Sequence, residues 1–312
     1  MSRRVISSSS IFVIRVLIFL VTLASAAAFA LGQNDDDVIK VDSSIVVLNA
    51  TIRDAQNHPV SGLQQKDFKI LEDGVQQQII SLETQEAPFA AVILFDTSGS
   101  MEPRISIARA AAINFLDGLR ADDVTAIYKF DSTIDMVQDF SDSRDVSDKI
   151  FDLKARGMTA LNDAVYKAVG ELSKRNEPRK AIIVISDGAD TFSSHSADKA
   201  LKMALAANVT IYTVDMSSME TSGNDRRQNQ GVLRNFAEKT GGTFISTENG
   251  QAMRGALKGI VDELRIQYTL SYEPSNLKHD GKWHALELRV ARPNLLIRTR
   301  QGYNAPKDGK VK

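Results

Sequence analysis

Asp96, Ser98 and Ser100 occupy alternate positions of Asp96-Thr97-Ser98-Gly99-Ser100, directly after the apolar run Ala91–Phe95. Two hydroxyls two residues apart can face one centre if the chain turns between them, and Gly99 permits that turn without a Cβ penalty. Asp96 places a carboxylate beneath the pair. Gly157-Met158-Thr159 adds a third hydroxyl just ahead of a stretch with helical spacing, and Ser186-Asp187-Gly188 adds a second carboxylate after the run Ala181–Ile185. Three hydroxyls and two carboxylates form a hard-oxygen donor set. The chemistry such a set can do is to hold Mg²⁺ or Mn²⁺ in near-octahedral coordination.

These side chains need elements that bring them to one edge. Ala91–Phe95 and Ala181–Ile185 are unbroken apolar runs, expected of strands buried on both faces of a parallel sheet, and Val209–Val214 is a third. Ala108, Ala111, Ala112, Phe115, Leu116 and Leu119 recur at i, i+3, i+4, i+7, i+8 and i+11. Leu161, Ala164, Val165, Ala168, Val169 and Leu172 repeat the spacing, so both stretches are predicted helices with one core-facing stripe. Met253, Leu257, Ile260, Val261 and Leu264 mark a closing helix. Val124–Phe130 and Thr133–Phe140, joined across Asp131-Ser132, read as an edge hairpin. Alternating strands and helices with right-handed crossovers predict a doubly wound, mostly parallel α/β domain over 87–265. In such a sheet ligands bind at the carboxyl ends of the strands, where Asp96, Thr159 and Asp187 are expected.

The flanks change character. Residues 38–86 carry strand runs and the turns Asn57-His58-Pro59 and Asp73-Gly74. Residues 266–303 carry Gln267–Tyr272, Trp283–Ala291 and Leu295–Arg300, and 304–312 read as a tail. Neither flank is long enough to bury a core alone, so the two are expected to pair into one β-sandwich around the inserted α/β domain. In the second flank His284 alternates in phase with Leu286, Leu288 and Val290, which reads as a core histidine rather than a ligand. The arginines 289, 292, 298 and 300 read as a solvated face.

The 312 residues contain 38 Lys+Arg, 39 Asp+Glu, four His and no Cys. Without cysteine there are no disulfides, thiolate metal sites or cysteine nucleophiles, and near-neutral charge gives no basic face for nucleic acid. Residues 1–30 have the layout of an export signal: Arg3 and Arg4, the apolar run Val16–Phe29, and small-x-small cleavage candidates at Ala24-Ser25-Ala26 and Ala28-Phe29-Ala30. An exported protein, periplasmic, extracellular or held in the envelope, is expected. The run falls short of ~20 spanning residues, and membrane contact follows only if the signal is retained.

The set Asp96-Thr97-Ser98-Gly99-Ser100, Thr159, Asp187 resembles the metal-ion-dependent adhesion site of von Willebrand factor A domains. The flanking segments Val60-Ser61-Gly62-Leu63, Asp67-Phe68, Glu72-Asp73-Gly74-Val75 and Arg300-Gln301-Gly302-Tyr303 are similar to those of a secreted bacterial group of A-domain-related proteins first described from acidobacteria. The resemblance implies that Ser98, Ser100 and Thr159 bind the metal directly, with Asp96 and Asp187 acting mostly through water. A cation so poorly neutralised attracts an outside anion, an Asp or Glu side chain of a partner protein. Asp190 is a candidate rim residue.

The function expected is therefore a metal-dependent, adhesion-type protein-binding module without catalysis or a small-molecule cofactor. One alternative is a structural envelope protein whose metal only stabilises it. The other is a hydrolase using Ser98, Ser100 or the metal. No G-x-S-x-G elbow, phosphate loop or dinucleotide fingerprint supports the last.

Overall fold

The computed structural model describes residues 45–84, 86–143, 150–217, 222–246, 250–275 and 281–305. The expected export signal 1–30 and residues 306–312 of the tail lie outside the described residues.

The first flank forms β1 (Val46–Arg53), β2 (Phe68–Glu72), β3 (Val75–Gln77) and β4 (Ile79–Glu83). The α/β body follows as β5 (Phe89–Asp96), α1 (Ile105–Asp117), β6 (Val124–Phe130), β7 (Ile134–Ser141), α2 (Leu161–Ser173) and β8 (Arg179–Ser186). It continues with α3 (Ala197–Ala206), β9 (Val209–Asp215), α4 (Gly223–Thr240), β10 (Phe244–Ser246) and α5 (Gly250–Arg265). The second flank adds β11 (Tyr268–Tyr272), β12 (Trp283–Val290), β13 (Leu296–Thr299) and β14 (Gly302–Asn304).

The six-stranded sheet runs β10-β9-β8-β5-β6-β7. Every pairing is parallel except β6 with β7, the edge hairpin expected from the sequence. Alternate residues of β5 serve opposite faces. Phe89, Ala91, Ile93 and Phe95 pack with the buried stripe of α1 and with Leu257 and Val261 of α5. Ala90, Val92 and Leu94 pack with α2, α3 and α4. Both sides are covered, which explains the unbroken apolar run. From β5 the chain leaves to β6 on one side and returns in β8 on the other. The crevice of this switch point therefore opens at the tip of β5, where Asp96 stands.

The flanks pair with each other. One antiparallel sheet has the order β13-β1-β11-β4 and the other β14-β12-β2-β3, so each mixes strands from both ends of the chain. Leu48, Ala50, Ile52, Phe68, Ile70, Leu270, Tyr272, Leu286 and Leu288 form one core between them.

The reading of the arginines as a solvated face is corrected for Arg298 and Arg300. The sheet containing β1, β11 and β13 is covered on its second face by the α/β body, so residues turned away from the sandwich core are also buried. Arg300 is 7% exposed and donates to the carbonyls of Leu205 and Val47, at 2.9 and 2.6 Å. Arg298 donates to Glu263 of α5, which also accepts from Arg53 at 3.2 Å and from the Tyr212 hydroxyl at 3.0 Å. Arg179 donates to the carbonyls of Leu264, Arg265 and Gln267, clasping the exit from α5 into β11. Burial pushes the guanidinium groups of Arg179 and Arg300 down to about 10. Both stay charged at neutral pH, held by carbonyl dipoles instead of water.

β1 is hydrogen-bonded on both edges by strands from the far end of the chain. Expressed alone, residues 38–86 therefore give an unfolded, poorly dispersed NMR spectrum, while residues 87–265 alone fold and melt cooperatively. A dispersed spectrum from isolated 38–86 would contradict the shared sandwich.

Candidate functional site

Asp96 ends β5 fully buried. Its Oδ1 accepts the Ser98 amide at 2.8 Å, folding the chain back into the turn that carries the two serines. Thr97 anchors the turn by donating its amide (2.8 Å) and hydroxyl (3.2 Å) to the Phe130 carbonyl of β6. A short 3₁₀ turn over Gly99–Arg104 leads into α1, and within it Met101 is wholly buried in the core. The Ser98 and Ser100 hydroxyls lie 3.2 Å apart, Ser98 buried and Ser100 exposed.

The second stretch is joined to the first by backbone hydrogen bonds. Arg156 donates to the Thr97 carbonyl at 2.7 Å, and Gly99 donates to the Gly157 carbonyl at 3.2 Å. Gly157 has φ +80°, a conformation that strains any L side chain. Thr159 is 4% exposed while Met158 beside it is 50% exposed. The main chain of Thr159 is fixed by Thr191: its amide donates to the Thr191 hydroxyl, and its carbonyl accepts the Thr191 and Phe192 amides.

The third stretch reaches Asp96 directly. Ser186 donates its hydroxyl to Asp96 Oδ2 at 2.6 Å and accepts the Gly188 amide at 3.0 Å. Asp187 is buried, and its Oδ1 accepts the Ala189 amide at 3.0 Å. Gly188 has φ +81°, and a Cβ there would lie 2.6 Å from the Asn229 carbonyl of α4, so only glycine fits. The Asp187 carbonyl lies 3.4 Å from the Ser217 hydroxyl, itself bonded to Asp215. Asp215-Met216-Ser217 repeats the local turn of Asp96-Thr97-Ser98: the Ser217 amide donates to Asp215 Oδ1 at 2.9 Å.

Thus the 96–100 turn is bonded to 156–157 through the backbone and to 186 through a side chain. The hydroxyl of Ser186 is the group that sequence reasoning passed over. Its only signal was its place beside Asp187 at the strand tip. Asp190, expected at the rim, accepts the amides of Asn162 (2.8 Å) and Ser193 (3.1 Å), so it caps the start of α2 and ties the following loop to it. His195, the histidine of this edge, is held by Asp163: its ring Nδ1 lies 2.6 Å from Oδ1, and it stacks on Tyr166. The serine hydroxyls of the turn pair with each other instead.

The electrostatics follow from burial. Desolvation pushes the Asp96 carboxyl up to about 7. Hydrogen bonds from Ser186 and Ser98 pull it down, and the Asp187 carboxylate pushes it up again. A carboxylate so placed favours a cation beside it. The donors fit one. Oxygens at cis positions around Mg²⁺, each at ~2.1 Å, stand ~3.0 Å apart, close to the separation of the two serine hydroxyls.

Residues 91–189 match the family model of the von Willebrand factor type A domain. No curated protein matches the chain. Among solved structures, the chain is similar to a von Willebrand factor type A protein from Catenulispora acidiphila, with 14% identity, 86% of this chain and 76% of that chain covered, and a TM-score of 0.48. An aerotolerance-related membrane protein from Bacteroides fragilis aligns with 20% identity over 56% of this chain and 98% of its own, with a TM-score of 0.45. The pilus adhesin SpaC from Lactobacillus rhamnosus GG aligns with 12% identity, 81% of this chain, 49% of its own and a TM-score of 0.46. This chain spans about half of SpaC. No helix among the described residues is long and apolar enough to cross a membrane.

The direction of the Asp96 shift fixes a pH dependence. An acid raised from ~3.9 in the unfolded chain to about 7 keeps its proton in the folded state alone. Its favourable contribution is complete below the unfolded value and is lost as pH rises toward 7. In chelator, the melting temperature of the natural protein therefore falls relative to Asp96→Asn between about pH 4 and 7. Parallel profiles would contradict the burial argument.

Proposed function

We propose that the carboxyl-edge site holds Mg²⁺ or Mn²⁺ and that the protein is an exported, adhesion-type binding module. Ser98, Ser100 and Thr159 supply direct oxygen ligands, while Asp96 and Asp187 act through bound water. The ion supplies one piece of chemistry, an unfilled coordination position with net positive charge. That position takes an Asp or Glu carboxylate from a partner protein. Residues 1–30 direct export, and the likeness of the flanking segments supports membership of the secreted bacterial A-domain-related group.

The observation that carries this reading is the pair of serine hydroxyls, 3.2 Å apart, on a turn bonded both to Gly157 and to the Asp96–Ser186 pair. Hydroxyl ligands leave the ion's charge largely intact, whereas a set of direct carboxylates would quench it. Buried Asp96 and Asp187 supply attraction without occupying the outer position. The exposed Met158 and Phe192 flank Thr159 and offer apolar contact to whatever bears the carboxylate. This arrangement suits recognition better than turnover: the serine hydroxyls pair with each other, and His195, the histidine of this edge, is held by Asp163.

Immobilised full-length protein is expected to retain a partner from envelope extracts in Mg²⁺ and to release it in chelator. Thr159→Val, which removes the hydroxyl and preserves shape, abolishes capture while leaving the melting temperature nearly unchanged. If chelation lowers the melting temperature but no partner is retained in either condition, the metal is structural and the adhesive reading fails.

A further inference from the structure

A second group of metal-competent side chains lies in the sandwich. β2 ends at Glu72, and the β2–β3 hairpin turns through Asp73 and Gly74, with φ of 51° and 82°. This is the pair of left-handed residues that a two-residue hairpin requires. Across the sheet β12 runs antiparallel, with Leu286 opposite Glu72. The Asp73 amide donates to the Ala285 carbonyl, and the Ala285 amide donates back to Asp73 Oδ1, both at 2.9 Å. His284 is thereby set against both acids: its Nδ1 lies 2.8 Å from Asp73 Oδ2 and 3.3 Å from Glu72 Oε1.

Each carboxylate has its other oxygen occupied. Asp73 Oδ1 is held by the Ala285 amide. Glu72 Oε2 accepts hydroxyl hydrogens from Tyr272 at 2.5 Å and Tyr303 at 3.2 Å. The Tyr303 ring also stacks on the His284 ring, with centroids 5.6 Å apart. Groups around the cluster thus orient the second oxygen of each acid toward one imidazole nitrogen, the outer-shell support that metal-binding carboxylates and histidines need. Glu72 and His284 are 6% and 8% exposed, whereas the Asp73 side chain is about half exposed.

We infer that Glu72 Oε1, Asp73 Oδ2 and His284 Nδ1 form a second divalent-cation site, built for Zn²⁺ or a similar borderline transition metal. An imidazole nitrogen with two carboxylate oxygens is a zinc-type donor set, unlike the all-oxygen set at the carboxyl edge. Donors at ~2.0–2.1 Å from a tetrahedral ion stand ~3.3 Å apart. The His284–Glu72 separation already has that value. The His284–Asp73 separation must open by ~0.5 Å, and the exposed hairpin turn can give that much. Solvent reaching the cluster from the Asp73 side supplies the fourth ligand. The ion neutralises two carboxylates that otherwise share one imidazole, and it clamps the β2–β3 turn to β12.

The test is calorimetric titration of chelator-stripped, full-length protein with Zn²⁺ at neutral pH, with X-ray absorption at the zinc edge. One zinc per chain is expected, with one nitrogen and otherwise oxygen neighbours. Asp73→Asn, on an exposed turn, should weaken it at least tenfold, and Asp96→Asn should leave it in place. His284→Gln serves as a second variant if it folds. The inference is overturned if no zinc is taken up, if Asp73→Asn leaves affinity unchanged, or if zinc is lost in Asp96→Asn instead. Because the Asp96 and Asp73 variants act on different sites, failure here is distinguishable from failure at the carboxyl edge.

Discussion

The constraint on which the site depends is a carboxylate kept out of water at the tip of the central strand. Asp96 is fully buried, its oxygens accept hydrogen bonds from Ser98 and from the Ser186 hydroxyl, and Asp187 stands near enough to oppose its ionisation. These neutral donors do not offset that loss of hydration. The same hydrogen bonds, however, fold the serine turn and join β5 to β8. The turn is thus held in place around a carboxylate whose charge the protein's own donors offset poorly, and this is the feature on which the proposed cation site rests.

The rest of the molecule keeps this edge in place. Parallel pairing aligns the tips of β5, β6 and β8, and alternate side chains of β5 anchor helices on both faces. The sandwich closes the opposite part of the chain. It takes strands from both flanks and rests on the α/β body through Glu263, Arg53, Arg298 and Tyr212, while Arg179 and Arg300 donate to backbone carbonyls. Buried charged groups that are paired or hydrogen-bonded to carbonyls fix relative position more than they add stability. Their role here is to hold the closing helix against β1 and β11.

Much of this was legible in the sequence because it rests on strong local patterns. The apolar runs at 91–95 and 181–185 announced doubly covered strands, and the stripes in α1 and α2 had clean helical spacing. Other elements gave weaker signals. α4 is largely polar, with only Leu233, Phe236, Ala237 and Thr240 buried, so its helical spacing is confined to the last two turns and its first half carries no apolar signal. Arg298 and Arg300 alternate as solvent-facing residues should, but their outer face lies beneath a second body, which a linear pattern cannot register. Asp190 has the composition of a rim acid, and three-dimensional proximity to Asn162 makes it a cap. The phase of His284 correctly gave burial. The acids that face it come from a hairpin more than 200 residues earlier, joined to it by strand register alone.

The most direct measurement of the central claim is anomalous diffraction from crystals grown with Mn²⁺. The account predicts a manganese peak at the carboxyl edge, ~2.2 Å from the hydroxyl oxygens of Ser98, Ser100 and Thr159, with waters between the ion and Asp96 and Asp187. A peak elsewhere with this edge empty, or a Thr159 hydroxyl turned away from the serine pair in the ion's presence, would contradict it.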